Sequence, residues 1–143
     1  MDGPRRHLIS IDDLSDADLQ WIVSRGARYA RSPRRQDRPL EGLIAGIYFR
    51  KTSTRTRTAF SSGALRLGAQ IIKYGPDDLQ TNTDETIEDT GRVLSRMIDI
   101  LVARTAAATE ELRTLAAQNR MAVVNAMSAE EHPTQALTDL TTL

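Results

Sequence analysis

Cysteine is absent from this 143-residue sequence, which excludes a disulfide framework, a thiolate nucleophile and a Cys-ligated zinc site. Histidine occurs only as His7 and His132. The two histidines are far apart in sequence, and no carboxylates occur at a spacing typical of metal ligands. We therefore expect no metal site. No G-x-G-x-x-G follows an apolar run, so a nicotinamide cofactor is not expected either. The sequence predicts a protein that works without a cofactor.

Excess charge and long apolar runs are also missing. The 19 basic and 19 acidic residues cancel to a net charge of zero, which argues against a general binder of nucleic acid or membrane surfaces. No apolar run approaches the roughly 18 residues of a membrane span, and the N-terminus lacks the apolar segment of a signal peptide. The length suits one domain. We therefore expect a single-domain cytoplasmic protein.

Lysine is scarce, because all basic residues except Lys51 and Lys73 are arginines. Six arginines cluster in the first third of the chain: Arg25, Arg28, Arg31, Arg34, Arg35 and Arg38. Such a cluster is one way to bind nucleic acid, but at zero net charge we favour a solvated helix end. No nucleic-acid partner is expected.

Short apolar runs alternate with segments of helical spacing. The runs predict buried strands at 43–49, 69–74, 98–103 and 121–125. The spacing predicts helices at 15–31, 56–67, 85–96, 109–119 and 133–143, with Ser15 and Thr109 as N-caps. The alternation predicts an α/β fold of three layers, in which a parallel sheet of four or slightly more strands carries helices on both faces.

Ligands of such sheets bind beyond the carboxyl ends of the strands, so the candidates follow Phe49, Tyr74, Ala103 and Asn125. The first of these positions holds 50–57 (RKTSTRTR), which leads directly into a helix. Free backbone N–H groups at a helix start, together with hydroxyls and cations, predict an anion site. Simple capping of the helix by a hydroxyl residue explains the pattern equally well.

Two further polar residues follow predicted strands. Arg104 comes directly after the third strand, and His132 precedes a helix whose first residue is Pro133. The helix dipole would keep His132 neutral and available as a hydrogen-bond donor. A surface arginine and a capping histidine are the more ordinary interpretations of each residue alone. We expect a site because all three signals fall where the topology places one.

Two of these segments resemble motifs of the aspartate/ornithine carbamoyltransferase family. Residues 49–57 (FRKTSTRTR) are similar to its phosphate motif F-x-K-T-S-T-R-T-R, and 132–140 (HPTQALTDL) to H-P-T-Q-x-L-x-D-L. Residues 67–69 and 89–94 match further landmarks at compatible spacing. The resemblance covers about 8–143 and identifies 1–143 as a carbamoyl-phosphate-binding domain.

The resemblance implies a role for particular residues. Those that would bind the phosphate of carbamoyl phosphate are consecutive: Ser53, Thr54, Arg55 and Thr56. Those that would bind its carbamoyl group come from three segments: Arg55, Thr56, Arg104, His132 and Gln135. Gln80 falls where ornithine-type enzymes have a substrate-contacting glutamine.

The implied reaction is a cofactor-free acyl transfer to the amino group of an ornithine- or aspartate-like amino acid. A neutral amine attacks the carbonyl carbon, and the developing oxyanion is held by a catalytic set of four donors: Arg55, Thr56, Arg104 and His132. Phosphate then leaves and accepts the amine proton. Fixed donors around an oxyanion are usually the largest catalytic term, each worth roughly 2.7–4 kcal/mol.

The sequence departs from the family in two ways. No lysine occurs in 80–86, where the family carries one, and Asp84 stands in that loop. The chain also stops within the helix from Pro133, which in the family leads to a second, amino-acid-binding domain. We therefore expect an incomplete enzyme that associates as a homo-oligomer, by resemblance a trimer, or with a complementary chain. A non-catalytic or regulatory binding module with the same fold, or one half of a split enzyme, remains open.

Overall fold

The computed structural model describes residues 5–32, 37–79 and 85–142. Its regular elements, after a single 3-10 turn at Ile11–Asp13, are α1 (Asp16–Arg31), β1 (Ile44–Phe49), α2 (Thr54–Arg66), β2 (Gln70–Tyr74), α3 (Ile87–Leu94), β3 (Ile100–Arg104), α4 (Thr109–Leu115), β4 (Ala122–Met127) and α5 (Pro133–Thr141). The predicted alternation of strands and helices is confirmed.

The four strands form one parallel sheet in the order β2-β1-β3-β4. Because successive side chains of a strand point to opposite faces, the sheet separates two apolar clusters. One contains Tyr48 and Leu101 and includes Leu94 of α3 together with Leu112 and Leu115 of α4. The other contains Ile47, Phe49 and Val102 and packs against Phe60 of α2. The predicted three-layer α/β fold is therefore confirmed.

The strand order creates a crevice between β1 and β3. The chain leaves β1 through α2 toward β2 on one side, and it leaves β3 through α4 toward β4 on the other. Connections that diverge from two neighbouring strands open a gap at their carboxyl ends, where open α/β sheets bind ligands. The predicted site segments after β1 and β3 border this gap.

Two helices begin at other residues than predicted. α2 begins at Thr54 rather than at residue 56, because Ser53 is its N-cap. α3 begins at Ile87 rather than at residue 85, because Thr86 accepts a hydrogen bond from the Asp89 backbone N–H. A shifted start changes which backbone N–H groups are free, so the α2 correction bears directly on the site.

The prediction of Thr109 as the N-cap of α4 is wrong. Ala108 holds that position without a side-chain bond, and Thr109 is the first helical residue. The Glu130 carboxylate supplies the missing acceptor, 2.8 Å from the Thr109 backbone N and 2.7 Å from its hydroxyl. These bonds lower the pKa of Glu130. A carboxylate from the loop after β4 therefore caps α4.

α4 ends at Leu115, four residues before the predicted end. The Gln118 side chain accepts from the Arg120 and Met121 backbone N–H groups, both at 2.8 Å, and donates to the Met121 carbonyl at 2.8 Å. These bonds turn the backbone toward β4. Side chains that bond nearby backbone groups offer the chain an alternative to continued helix, which explains the early end.

The N-terminal segment, residues 5–10, lies along the outer edge of β4. The Leu8 backbone N–H donates to the Val123 carbonyl, and its carbonyl accepts from the Asn125 N–H, both at 2.8 Å. His7 adds a side-chain link, since its Nδ1 accepts from the Val123 N–H at 3.0 Å. The segment therefore extends the sheet by one short bridge. No helix in the part of the chain that the structure describes is long and apolar enough to cross a membrane.

Candidate active site

Ser53 caps α2 at the carboxyl end of β1. Its Oγ lies 3.4 Å from the Thr56 backbone N, and the first intrahelical bond runs from Arg57 N–H to the Ser53 carbonyl at 3.0 Å. The N–H groups of Thr54 and Arg55 therefore have no partner within the helix. The Ser53 bond is longer than the usual 2.7–3.2 Å or so, which leaves its hydroxyl weakly committed. Capping and anion binding are thus compatible here.

Arg104 is the last residue of β3 and reaches the first turn of α2. Its Nη1 donates to Thr56 Oγ1 at 3.1 Å. Its Nε is buried and has no hydrogen-bond partner among the described residues. A buried donor without an acceptor costs about 1–3 kcal/mol, so the guanidinium has unused donor capacity at this point. The sequence predicted a cation here, and the structure joins it to the first turn of α2.

His132 is the N-cap of α5, and Pro133 is the first residue of that helix, as predicted. Burial lowers the pKa of His132, and the Arg104 charge lowers it further. Both effects favour the neutral imidazole, which is the form that the sequence argument predicts. The two causes are burial and Arg104, whereas the sequence argument invoked the helix dipole. The His132 side chain makes no capping bond to a backbone N–H of α5, and its contact with the helix is a long one, 3.5 Å from Nδ1 to Thr134 Oγ1.

A cavity of about 540 Å³ lies between α1, α2 and α5, and its lining includes His132 but not Ser53 or Arg104. Four of the predicted site residues line it: Arg55, Thr56, His132 and Gln135. Apolar side chains of α1, α2 and α5 complete the lining, among them Ile22, Phe60 and Leu137. Arg104 joins the group through its bond to Thr56. The structure thus brings together segments that are about 80 residues apart in sequence, with Ser53 and Thr54 at the turn that leads into the cavity wall.

The amide of Gln135 is engaged within α5, since its Nε2 donates to Asp139 Oδ1 at 2.9 Å. Gln135 still lines the cavity, so its carbonyl oxygen and its position are compatible with the predicted contact. The other predicted glutamine, Gln80, lies outside the described residues, as does Asp84. Both remain predictions from sequence.

The cation nearest the end of β1 is committed elsewhere. Both Nη atoms of Arg50 donate to the Glu111 carboxylate, and its Nε donates to the Tyr48 hydroxyl at 3.0 Å. The Glu111 hydrogen bonds raise the pKa of Arg50 further above its ordinary value. Arg50 therefore links the end of β1 to α4. Sequence reasoning missed this pair because Glu111 is 61 residues away.

Comparison with known proteins gives a consistent result over nearly the whole chain. The family model for the aspartate/ornithine carbamoyltransferase, carbamoyl-P binding domain matches residues 6–143. Ornithine carbamoyltransferase of Mycolicibacterium smegmatis is 41% identical over 139 residues, which are 96% of this chain and 45% of that protein. The enzyme of Bordetella avium is 35% identical over 142 residues, which are 98% of this chain and 45% of that protein.

The solved structure of ornithine carbamoyltransferase from Pyrococcus furiosus superimposes with a TM-score of 0.88 at 32% identity. The match covers 97% of this chain and 45% of that one. The chain thus spans less than half the length of the relatives that it matches. Because the family model covers more than nine-tenths of the sequence, the chain belongs to the family of aspartate/ornithine carbamoyltransferase carbamoyl-P binding domains.

Proposed function

We propose that the chain binds carbamoyl phosphate at the start of α2 and supplies that half of a carbamoyltransferase site. The phosphate would accept hydrogen bonds from the hydroxyls and backbone N–H groups of four residues: Ser53, Thr54, Arg55 and Thr56. The carbamoyl group would be held by side chains from three segments: Arg55, Thr56, Arg104, His132 and Gln135.

The observation that carries the proposal is the meeting of Arg104 with Thr56 beside His132. One guanidinium donates to the first turn of α2 at 3.1 Å and lowers the pKa of a histidine that lines the same cavity as Thr56. A small dianion with a carbonyl group fits a site that combines a helix N-terminus, a cation and a neutral donor.

In the complete enzyme, we propose, a neutral amine attacks the carbonyl carbon of the bound ligand. The new C–N bond forms while the C–O bond to phosphate breaks, and the departing phosphate takes the amine proton. Arg55, Thr56, Arg104 and His132 hold the negative charge that develops on the carbonyl oxygen. Loss of one such donor costs roughly 2.7–4 kcal/mol of transition-state stabilisation.

We base our proposals for the acceptor amine and for the rest of the enzyme on the relatives. Those relatives are named ornithine carbamoyltransferase, and the chain spans 45% of their length. We propose an ornithine-like amino acid, bound by residues beyond this sequence in a second domain to which the helix from Pro133 leads. A cytoplasmic location stays a prediction.

We also propose association into a homo-oligomer. Three of the exposed apolar side chains belong to β2, α3 and the turn after α3, namely Ile72, Val93 and Met97, which are 42%, 49% and 60% exposed. β2 is an end strand of the described sheet, and we propose that its outer edge and these side chains belong to one interface. Exposed apolar surface that is contiguous is typical of protein interfaces.

Calorimetric titration with phosphonoacetamide tests the binding proposal, because a methylene in place of the bridging oxygen prevents transfer. Arg55→Ala is expected to weaken binding by about tenfold or more, the usual loss for a charge-assisted bond to phosphate. Arg66→Ala, an exposed arginine in the last turn of the same helix, serves as the control and should bind normally. No binding to the unmodified chain would refute the proposal and favour a module that has kept only the fold.

A further inference from the structure

We infer that Glu131 is a positioning residue, whose side chain ties the loop carrying His132 to the N-terminal segment. This inference rests on the proposed function, because it concerns the same site. Glu131 does not line the cavity. Glu131 also has no assigned ligand contact, so we expect its effect on the ligand to pass through its neighbour, His132.

The His132 imidazole has few restraints of its own. It makes no capping bond to α5, and its contact with Thr134 is long at 3.5 Å. The next residue, Pro133, has a fixed φ and no backbone N–H to donate. The position of the imidazole therefore depends on how firmly the loop between Met127 and Pro133 is held.

The backbone of that loop is held at Glu131. Its carbonyl accepts from the Ser128 backbone N–H at 2.8 Å and from the Ser128 hydroxyl at 3.2 Å. Ser128 Oγ in turn accepts from the Nδ2 of fully buried Asn125 at 3.1 Å. These bonds close the loop on itself and join it to the end of β4.

The side chain of Glu131 bonds this loop to the N-terminal segment. Among the described residues, it is the loop's one carboxylate bond to that segment. The Ser10 hydroxyl donates to Glu131 Oε1 at 2.6 Å, across 121 residues of sequence. Ser10 is 3% exposed, and the preceding Ile9 carbonyl accepts from Asn125 Nδ2 at 2.9 Å. The bond is partly buried, and a short charge-assisted bond is among the stronger hydrogen bonds in proteins. It connects the residue before His132 to a segment that is itself paired with β4.

The test compares Glu131→Ala with Glu131→Gln, whose amide oxygen can still accept from Ser10. Glu131→Ala is expected to bind phosphonoacetamide about tenfold more weakly, and Glu131→Gln within about twofold of the unmodified chain. Glu41→Ala, an exposed glutamate before β1 at the opposite edge of the sheet, is the matched control and should not change affinity. Equal weakening in the Ala and Gln variants would overturn the inference.

A second readout follows His132 directly by NMR. The chain has two histidines, so the spectrum of His132→Gln assigns both ring signals. In Glu131→Ala the His132 titration should move toward that of an ordinary histidine, as the ring leaves its place beside Arg104. In Glu131→Gln it should not move. An unchanged His132 titration in Glu131→Ala, with unchanged affinity, would overturn the inference.

Two safeguards separate the possible failures. If the unmodified chain does not bind phosphonoacetamide, the proposed function fails, whereas the NMR comparison still decides the role of Glu131. If Glu131→Ala does not fold, Ser10→Ala removes the same bond from its other end and should produce the same two changes. Ser15→Ala, which removes the cap of α1, controls for the loss of a turn-capping serine, since Ser10 also accepts from the Asp12 N–H. A Ser10→Ala variant that behaves like the unmodified chain would overturn the inference.

Discussion

Arg104 and His132 interact across the site because a positive guanidinium disfavours a second positive charge on the nearby imidazole. Burial acts in the same direction, so both effects lower the pKa of His132. In the proposed site, the neutral histidine would add no charge, while Arg104 would supply the cation and is linked to the start of α2 through Thr56. This division of roles suits a ligand that carries both a carbonyl oxygen and a phosphate.

The lowered pKa of His132 predicts a dependence of stability on pH. The unfolded chain, with an ordinary histidine pKa of 6.5, binds this proton more readily than the folded chain. Stability therefore rises with pH in this range. We expect no contribution above the unfolded pKa, and a growing loss of unfolding free energy as the pH falls below it toward the folded-state pKa.

Urea unfolding between about pH 7.5 and pH 5, where histidines titrate, measures this loss. The His132→Gln variant lacks the titrating group and should show a shallower decline, with His7 common to both proteins. If the decline is equally steep in the variant, His132 does not have a lowered pKa in the folded chain.

At the scale of elements, the close approach of α3 to α4 depends on a missing side chain. A Cβ added to Gly91 of α3 would lie 3.0 Å from the Leu115 carbonyl oxygen and 3.2 Å from the Leu115 Cα. Both atoms are backbone at the end of α4, so they cannot rotate away. Gly63 of α2 is different, since a Cβ added there would meet no atom within 4 Å.

These two glycines predict opposite responses to the same substitution. Gly63→Ala should raise the free energy of unfolding by about 0.4–1 kcal/mol, because alanine favours the helix and restricts the unfolded chain. Gly91→Ala gains the same helix propensity, but the added methyl group must push α3 away from α4. Because overpacking typically costs about 1–3 kcal/mol, this variant should have a lower free energy of unfolding. Chemical denaturation of both variants measures the difference. Stabilisation by Gly91→Ala would show that the helices can move apart freely.

At the scale of the whole molecule, the proposed ligand site and the proposed interface involve different regions. The candidate site lies at the carboxyl edge of the sheet between β1 and β3, whereas the side chains of Ile72, Val93 and Met97 mark the β2 and α3 side. Association through that side would not involve α1. Trp21 of α1 is 62% exposed, so it provides an apolar residue of similar exposure on another surface.

We expect Met97→Glu to reduce self-association, because a charge must then be desolvated in the interface. Trp21→Glu should leave association unchanged. Sedimentation velocity at increasing protein concentration measures the oligomer fraction of each variant. A monomer at all concentrations, or loss of association in Trp21→Glu alone, would contradict the proposed interface.

The sequence by itself determined the features that depend on residues close together in the chain, namely the helices, the strands and the loops that follow the strands. Apolar periodicity predicted the four strands and five helices, and the order of strands and helices predicted which loops would meet. The loop after β1, Arg104 and His132 are therefore site candidates on local sequence alone. Each of these signals is local, since a helix start or a strand end is specified by a few consecutive residues.

Only the tertiary structure decided which distant polar groups pair. It assigned Glu130 as the cap of α4, committed Arg50 to Glu111, and joined Ser10 to Glu131. The partners in these contacts are 21, 61 and 121 residues apart, and a side chain carries no sequence mark of which remote acceptor it will meet. Such pairings arise when burial of the apolar faces brings the loops together, because a polar group then shielded from water must bond to whatever partner the packing provides.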